Sequence, residues 1–416
     1  MRITLSFFLM AVSSAATAGG YDTPMLYTAE HMGMGGAAVA GVSDASALFH
    51  NPAGLAKIKK GSGIFHITYL RGTVTGSPGS SPESTSITSE PTSAPFPLIG
   101  GAYRLHPKVV LGMTAFPIAS AGATYSYEGF GGAKISDSTT LVFAEVGPGV
   151  GFDLGKVRFG LGYRFTYMML ERFNGAEGEG VDPLIDFKLT GTDASGLRAG
   201  LQADLMDGDN GKLSLGLSYR HQVIIKPTAA EARAVGFKVT DMSSRFILPS
   251  RIVGGLRFDT GAWGVAADVE YGFNGLNEES VLAGTAELAP GMTDDIALKN
   301  VFGWQDALTY RLGVEHRLAN GIKLRLGGAY DEQTSSKQYP TAFGTPPAPT
   351  TVLGGGIGKT FGRWTIDFSM VNRRGTAEVT ADDLAAAEKA CVFCGKAGTY
   401  AIDLTGTYVS VRYETN

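Results

Sequence analysis

Cysteine is almost absent from this chain, with two residues in 416. That rules out a fold stapled by several disulfides. Charge is also sparse: Asp, Glu, Lys and Arg make up 18% of the residues, below the usual quarter, and the net charge is only −4. No basic surface of the kind that nucleic acid requires is suggested, so a nucleic-acid partner is not expected. Beyond the N-terminus, no apolar run is long enough for a transmembrane helix. The six histidines, His31, His50, His66, His106, His221 and His316, are scattered without zinc-ligand spacing. No serine sits in a nucleophile-elbow pattern. Gly358-Lys359-Thr360 matches the end of a phosphate-binding loop, but Leu353 stands where the motif's first Gly belongs and no helix pattern follows. The chain is therefore read as a non-enzyme with no catalytic residues, no metal and no cofactor.

What is present points one way. Residues 1–18 carry Arg2, an apolar run from Ile3 to Val12 and Ala16-Thr17-Ala18. That is the layout of a secretion signal, with cleavage expected after Ala18. Glycine, at 58 residues, is about twice its usual share, and aromatics are 10%. From residue 61 onward, short segments alternate apolar and polar residues. Trp364, Ile366, Phe368 and Met370 face one way, and Thr365, Asp367 and Ser369 the other. The same alternation runs through Trp263–Tyr271 and Leu308–Glu315.

Short separators alternate with long ones. The short ones, at 106–108, 153–156, 207–211, 259–262, 319–321 and 361–363, are rich in the Gly, Asn and Asp of tight hairpins. The long ones lie near 74–96, 119–138, 172–184, 227–245, 274–304, 331–349 and 374–398. Short turns on one side and long loops on the other is the bacterial outer-membrane pattern. The segment count gives an all-β fold, a transmembrane antiparallel β-barrel of about fourteen strands. The polar face would line the lumen, with Arg251, Arg257, Asp268, Glu270, Arg311, Glu315, Lys323, Arg325, Asp367 and Asp403. Charges of both signs on one face cannot point at lipid, where Lys or Arg costs about 2–4 kcal/mol at the midplane. Trp263, Tyr271, Tyr310, Trp364, Tyr400 and Tyr408 lie near segment ends, as interfacial aromatic girdles do.

Residues 19–60 read as a compact module ahead of the barrel, which takes up 61–416. Ser43 or Asp44 can cap a short helix over Ala45–Phe49, and Asn51 a second with Pro52 at its first position. Gly-Gly-Ala-x-Val-Ala-x-Val-Ser-Asp-Ala-Ser-Ala-x-x-x-Asn-Pro-Ala-Gly-Leu, over residues 35–55, resembles the N-terminal hatch of the FadL family of outer-membrane transporters, with Asn51-Pro52-Ala53 as its signature. Leu248–Gly255, Ala267–Tyr271, Tyr310–Glu315 and Leu326–Asp331 are similar to barrel blocks of the same family. The resemblance implies a fourteen-stranded barrel plugged by a helical hatch. It implies passive uptake of a hydrophobic small molecule, a long-chain fatty acid or hydrocarbon, by loop capture, a hatch-gated pocket and lateral release into outer-membrane lipid. A monomer in the bacterial outer membrane is expected. Barrels of the type IX secretion system have a similar Asn-Pro-Ala-Gly-Leu start, so a secretion or assembly component is the alternative. The chain departs from the family at its end, where Glu414-Thr415-Asn416 follow the last aromatic, Tyr413.

Three further groups of residues are candidates. Tyr125, Tyr127, Phe130, Leu184 and Ile185 are apolar residues in long separators, suited either to collecting a ligand or to packing loop on loop. Gly112 and Pro117 interrupt the third strand, marking either an ordinary bulge or the inward kink the resemblance implies. Cys391 and Cys394, in the last long separator, suit a local disulfide clip in an oxidising compartment.

Overall fold

A computed structural model describes residues 25–82, 86–178 and 181–415, apart from the side chain of Phe130. The expected signal segment 1–18 lies outside the described residues. Fourteen antiparallel strands close into a barrel. They are β1 (Gly61–Gly76), β2 (Thr92–His106), β3 (Val109–Glu128), β4 (Lys134–Asp153), β5 (Val157–Ala176), β6 (Ile185–Gly208) and β7 (Gly211–Arg220). Then come β8 (Arg251–Asp259), β9 (Trp263–Gly272), β10 (Ala307–Arg317), β11 (Ile322–Asp331), β12 (Thr350–Phe361), β13 (Trp364–Val379) and β14 (Gly398–Thr415). Strand β14 pairs back onto β1 from Gly61 opposite Thr415 to Thr75 opposite Ala401, so the sheet has no outer edge there.

All six short separators fall between consecutive strands at one end of the barrel. Gly155, Gly211, Gly321 and Gly362 have positive φ in them, which their tight turns require. The long separators differ from the reading as loops. Strands β3 and β4 run straight through 119–138, leaving only 129–133 between them. Residues 228–234 pair with 237–243, and 279–289 with 292–301, as outer hairpins that extend the wall above β6. These stretches carry small and hydroxyl residues where membrane strands carry large apolar ones. The backbone ladder forms regardless, because it does not need an apolar face.

Direction follows the alternation. Trp364, Ile366, Phe368 and Met370 are exposed on the outside, and Thr365, Asp367 and Ser369 are buried within. The apolar belt thus lies outside and the charge inside, the reverse of a soluble barrel. Arg251, Asp268, Glu270, Arg311, Glu315, Arg325 and Asp367 are all buried. Arg325 bonds Glu315 at 2.7 Å and Asp367 at 2.6 Å, so these charges neutralise one another. Three assignments are corrected. Asp403 faces outward and pairs with the exposed Arg374. Tyr400 and Tyr408 point inward and are fully buried, unlike Trp263 and Trp364, which are exposed. The even positions of β14 face the lumen, and there Tyr408 packs with Met25, Met32 and Leu70.

The lumen is filled by residues 25–60. Helix α1 (Ala29–Met32) leads to α2 (Ala47–His50) and then to a 3-10 turn over Pro52–Lys57. Helix α2 starts later than the sequence suggests. Asp44 binds the Ser46 amide at 2.8 Å and its hydroxyl at 2.6 Å instead of capping a helix from Ala45. The Asn51 carboxamide oxygen accepts the Ala53 N–H at 3.1 Å, with Pro52 in the first turn. The glycine excess has a use here. A Cβ on Gly160 of β5 would strike the Pro52 backbone, and one on Gly200 of β6 would strike the Asn51 side chain. Without side chains, the wall lets the plug come within backbone contact.

Candidate functional site

The plug is bound to the wall mainly through its own backbone. Asn51 Nδ2 donates to Val39 O at 2.8 Å within the plug and to Leu201 O of β6 at 3.1 Å. Gln202 Nε2 donates to Val39 O at 3.0 Å and Val42 O at 3.2 Å. Arg198 donates to Leu48 O at 2.8 Å and also to Phe49 O. From β9, Asp268 accepts the Ala38 and Val39 amides at 2.7 and 3.0 Å. Arg412 of β14 grips Glu30 at 2.9 Å and Asp44 at 2.6 Å. Burial works against a charge on Glu30, but Arg412 and Arg325 outweigh it and hold the carboxyl well below its ordinary range. His31 and His50 meet edge to face, centroids 4.6 Å apart, and burial pushes both imidazoles down.

Above the plug, the wall has a gap. Strands β2 and β3 pair from the turn up to Ile99 opposite Ala115 and no further. Among the described residues they are fastened again at Glu90, whose N–H donates to Thr124 O at 2.8 Å and whose carboxylate accepts the Ser126 hydroxyl at 2.9 Å. Between these points β3 carries a bulge. Pro117 lies opposite Ala144 of β4, whereas Ala119 lies opposite Phe143, so Ile118 is the extra residue. The insertion reverses facing along the strand. Val110, Thr114, Phe116 and Ile118 are buried below it, and Ala119, Ala123 and Tyr125 above it.

A cavity of about 700 Å³ occupies the gap. Leu70, Val74, Phe116 and Ile402 line it from inside, and Ile99, Phe165 and Tyr167, which are exposed on the barrel's outer face, line it from outside. It therefore passes through the wall. Its one inward guanidinium is Arg373, which is occupied by Asp331 at 3.3 Å and Thr350 at 3.0 Å. A second apolar cavity of about 120 Å³ lies beneath the outer segments and shares Ala121, Thr139, Gly344 and Thr345 with the first. Its aromatic lining is Phe187, Phe246, Phe302, Trp304, Tyr339, Phe343 and Phe393. A polar cavity of about 70 Å³ lies over the plug between Tyr27, His50, Arg251, Asp268, Glu270 and Arg311. Among the described residues, no cluster of His, Cys, Asp and Glu is arranged to hold a metal ion.

The candidate residues are distributed unevenly over this arrangement. Asn51, Pro52 and Ala53 are buried at the plug–wall contact. Pro117 lines the large cavity, while Gly112 lies lower, where a Cβ would meet Leu55 of the plug at 3.1 Å. Tyr125 belongs to β3, with its hydroxyl on Ala342 O and its ring against Phe343 at 5.4 Å. The Tyr127 hydroxyl bonds Ser80 at 2.8 Å. Leu184 is exposed, and Ile185 is buried at the start of β6. None of these last four lines either apolar cavity, and the side chain of Phe130 lies outside the described residues. Cys391 and Cys394 are joined in a disulfide at the rim of the smaller cavity, which Cys394 lines. Sequence reasoning missed Phe116, Ile118, Pro95 and Pro97. The alternating prolines of Ala94-Pro95-Phe96-Pro97 were the available signal, since proline avoids the interior of a sheet.

No sequence-family model matches the chain, and no curated protein sequence does. Solved structures do. A FadL homologue of Pseudomonas aeruginosa superposes with a TM-score of 0.73 at 13% identity, over 96% of this chain and 100% of that one. The toluene transporter TodX of Pseudomonas putida gives 0.68 at 17% identity, over 95% and 100%. The toluene transporter TbuX of Ralstonia pickettii gives 0.65 at 16% identity, over 94% and 99%. The chain has the plugged, fourteen-stranded barrel fold of the FadL family.

Proposed function

We propose that this protein is a passive channel of the bacterial outer membrane for hydrophobic molecules. The molecule enters between the outer segments, passes through the small aromatic cavity into the large one, and leaves sideways into the bilayer. The observation that carries this reading is the apolar cavity of about 700 Å³ that runs from the lumen through the wall between β2 and β3. Its size falls within the range of small-molecule sites, about 300–1,000 Å³. The exposed apolar belt suits lipid, and the paired charges of the lumen suit a filled interior rather than an open aqueous pore. Relatives in fold are described as toluene transporters and as a FadL homologue, which is consistent with a hydrocarbon or a fatty acid as the substrate. Asn51-Pro52-Ala53 would set the seat of the plug beneath the cavity.

Ala121 lines both apolar cavities, so a bulky side chain there obstructs the join. Ala121→Trp is expected to abolish uptake of radiolabelled toluene and oleate by cells, with barrel level and heat-modifiable migration unchanged. Undiminished uptake of both compounds would rule out this route. Co-purification of a stable secretion complex, with no uptake by the unaltered protein, would favour the assembly-component reading.

A further inference from the structure

Four prolines fall within the gap between β2 and β3, Pro91, Pro95, Pro97 and Pro117, and for the three that line the cavity the direction of the missing donors can be worked out. Along an antiparallel strand, N–H and C=O of one residue point to the same neighbour, and the neighbour alternates with each residue. The Arg104 N–H of β2 donates to Lys60 O, on the β1 side, at 2.7 Å. The β1–β2 register runs unbroken from there to Thr92. Even positions of β2 thus bond β1, and odd positions, including Pro97 and Pro95, turn their nitrogens toward β3. Just before β3, Lys108 O accepts the Asp153 N–H of β4 at 2.9 Å. With the register to β4 intact as far as Pro117, the odd positions of lower β3 turn toward β2.

The last pair across the seam is Ile99 with Ala115. Two residues further on, the same register sets Pro97 opposite Pro117. This would be a mutually bonded pair, and neither residue has an N–H to donate. Pro95 removes the next donor on β2, and the extra residue at Ile118 displaces its would-be partner. All three prolines line the large cavity.

We infer that Pro95, Pro97 and Pro117 are the positioning residues that keep this window from zipping shut, making the side exit a permanent feature of the wall. The inference rests on the lateral route proposed above. The strands meet again beyond the prolines, at Glu90 and Thr124.

The test is Pro95→Val/Pro97→Val/Pro117→Val, which restores three amides with a good strand former. Two readouts are needed. Hydrogen exchange in lipid nanodiscs reports whether the amides at 95, 97 and 117 are protected. Uptake of radiolabelled toluene and oleate reports passage. The expected result is protected new amides and uptake reduced to that of cells lacking the protein. New amides that exchange as fast as free ones would overturn the inference, leaving the lateral route intact if the unaltered protein still takes up the probes. Protected amides with undiminished uptake would show that the prolines hold the seam but that substrate leaves elsewhere, and the lateral route would fall. If the triple variant lowers barrel level, Pro97→Val alone restores one donor facing the seam and is read the same way.

Discussion

Asn51 uses both N–H groups of its carboxamide, on Val39 O and Leu201 O, and its oxygen, on the Ala53 N–H, to hold the plug. It is fully buried, so no solvent replaces lost partners. Removing such a cap costs about 0.5–2 kcal/mol, and each stranded buried carbonyl adds about 1–3 kcal/mol. That is enough to unseat a plug and too little to open a barrel closed by continuous ladders. Asn51→Ala is expected to leave surface level and heat-modifiable migration normal while raising the leak of small polar solutes, read as antibiotic sensitivity or single-channel conductance. An unchanged leak would mean that the contacts of Arg198, Gln202 and Arg412 hold the plug without it.

The elements of the plug carry a pH response. His31 in α1 and His50 in α2 have pKa values lowered by burial, and Arg198 and Arg311 add to the effect at His50. Below the ordinary histidine value, 6.5, a released plug takes up protons that the seated plug does not. Seating therefore weakens as pH falls below that point. Glu30 has the opposite sense: its contribution is full above its ordinary value, 4.5, and is lost only as pH falls through its lowered native value. Acidification from neutral to about 5 is expected to raise polar leak through the histidines, with His50→Gln reducing the effect and Glu30→Gln not abolishing it. The outer segments respond to a different agent. The loop at 391–395 donates Val392 N–H to Lys299 O at 3.0 Å and Gly395 N–H to Pro340 O at 2.7 Å, lacing three segments together. Cys391→Ser/Cys394→Ser is expected to speed protease nicking of this loop while leaving β-rich circular dichroism intact.

What could be read from the sequence at this scale depended on the surroundings of each strand. Within the membrane, lipid imposes apolar residues outside, so Trp364–Met370 reads directly. Above the membrane both faces are wet or covered by loops. Polarity stops reporting direction there, and Asp403 is misread. Tyr408 is misread for another reason: the plug gives the lumen a local apolar core, which alternation alone does not reveal. The plug's tight turn was legible through Asn51 and Pro52, whose roles are local. Pro117 marked a break in the third strand, but the gap itself was not legible, because the register that brings Pro97 level with Pro117 joins two strands.

For the whole molecule, the expectation is a β-rich spectrum in detergent and migration on gels that changes on boiling, as a closed ladder of fourteen strands resists detergent alone. An exit through the side has a further consequence. On the proposed route a solute never crosses the ring of turns at the far end, and the plug need not leave its seat for each passage. The barrel then works as an extraction funnel, and the bilayer is its receiving solvent. Transport is driven by how much better the solute dissolves in oil than in water, and it stops when the membrane saturates. Rates across a series of probes should therefore rank by oil–water partition coefficient until molecules outgrow a chamber of about 700 Å³. Competition between two chemically unlike hydrocarbons should follow their membrane loading more than their shape.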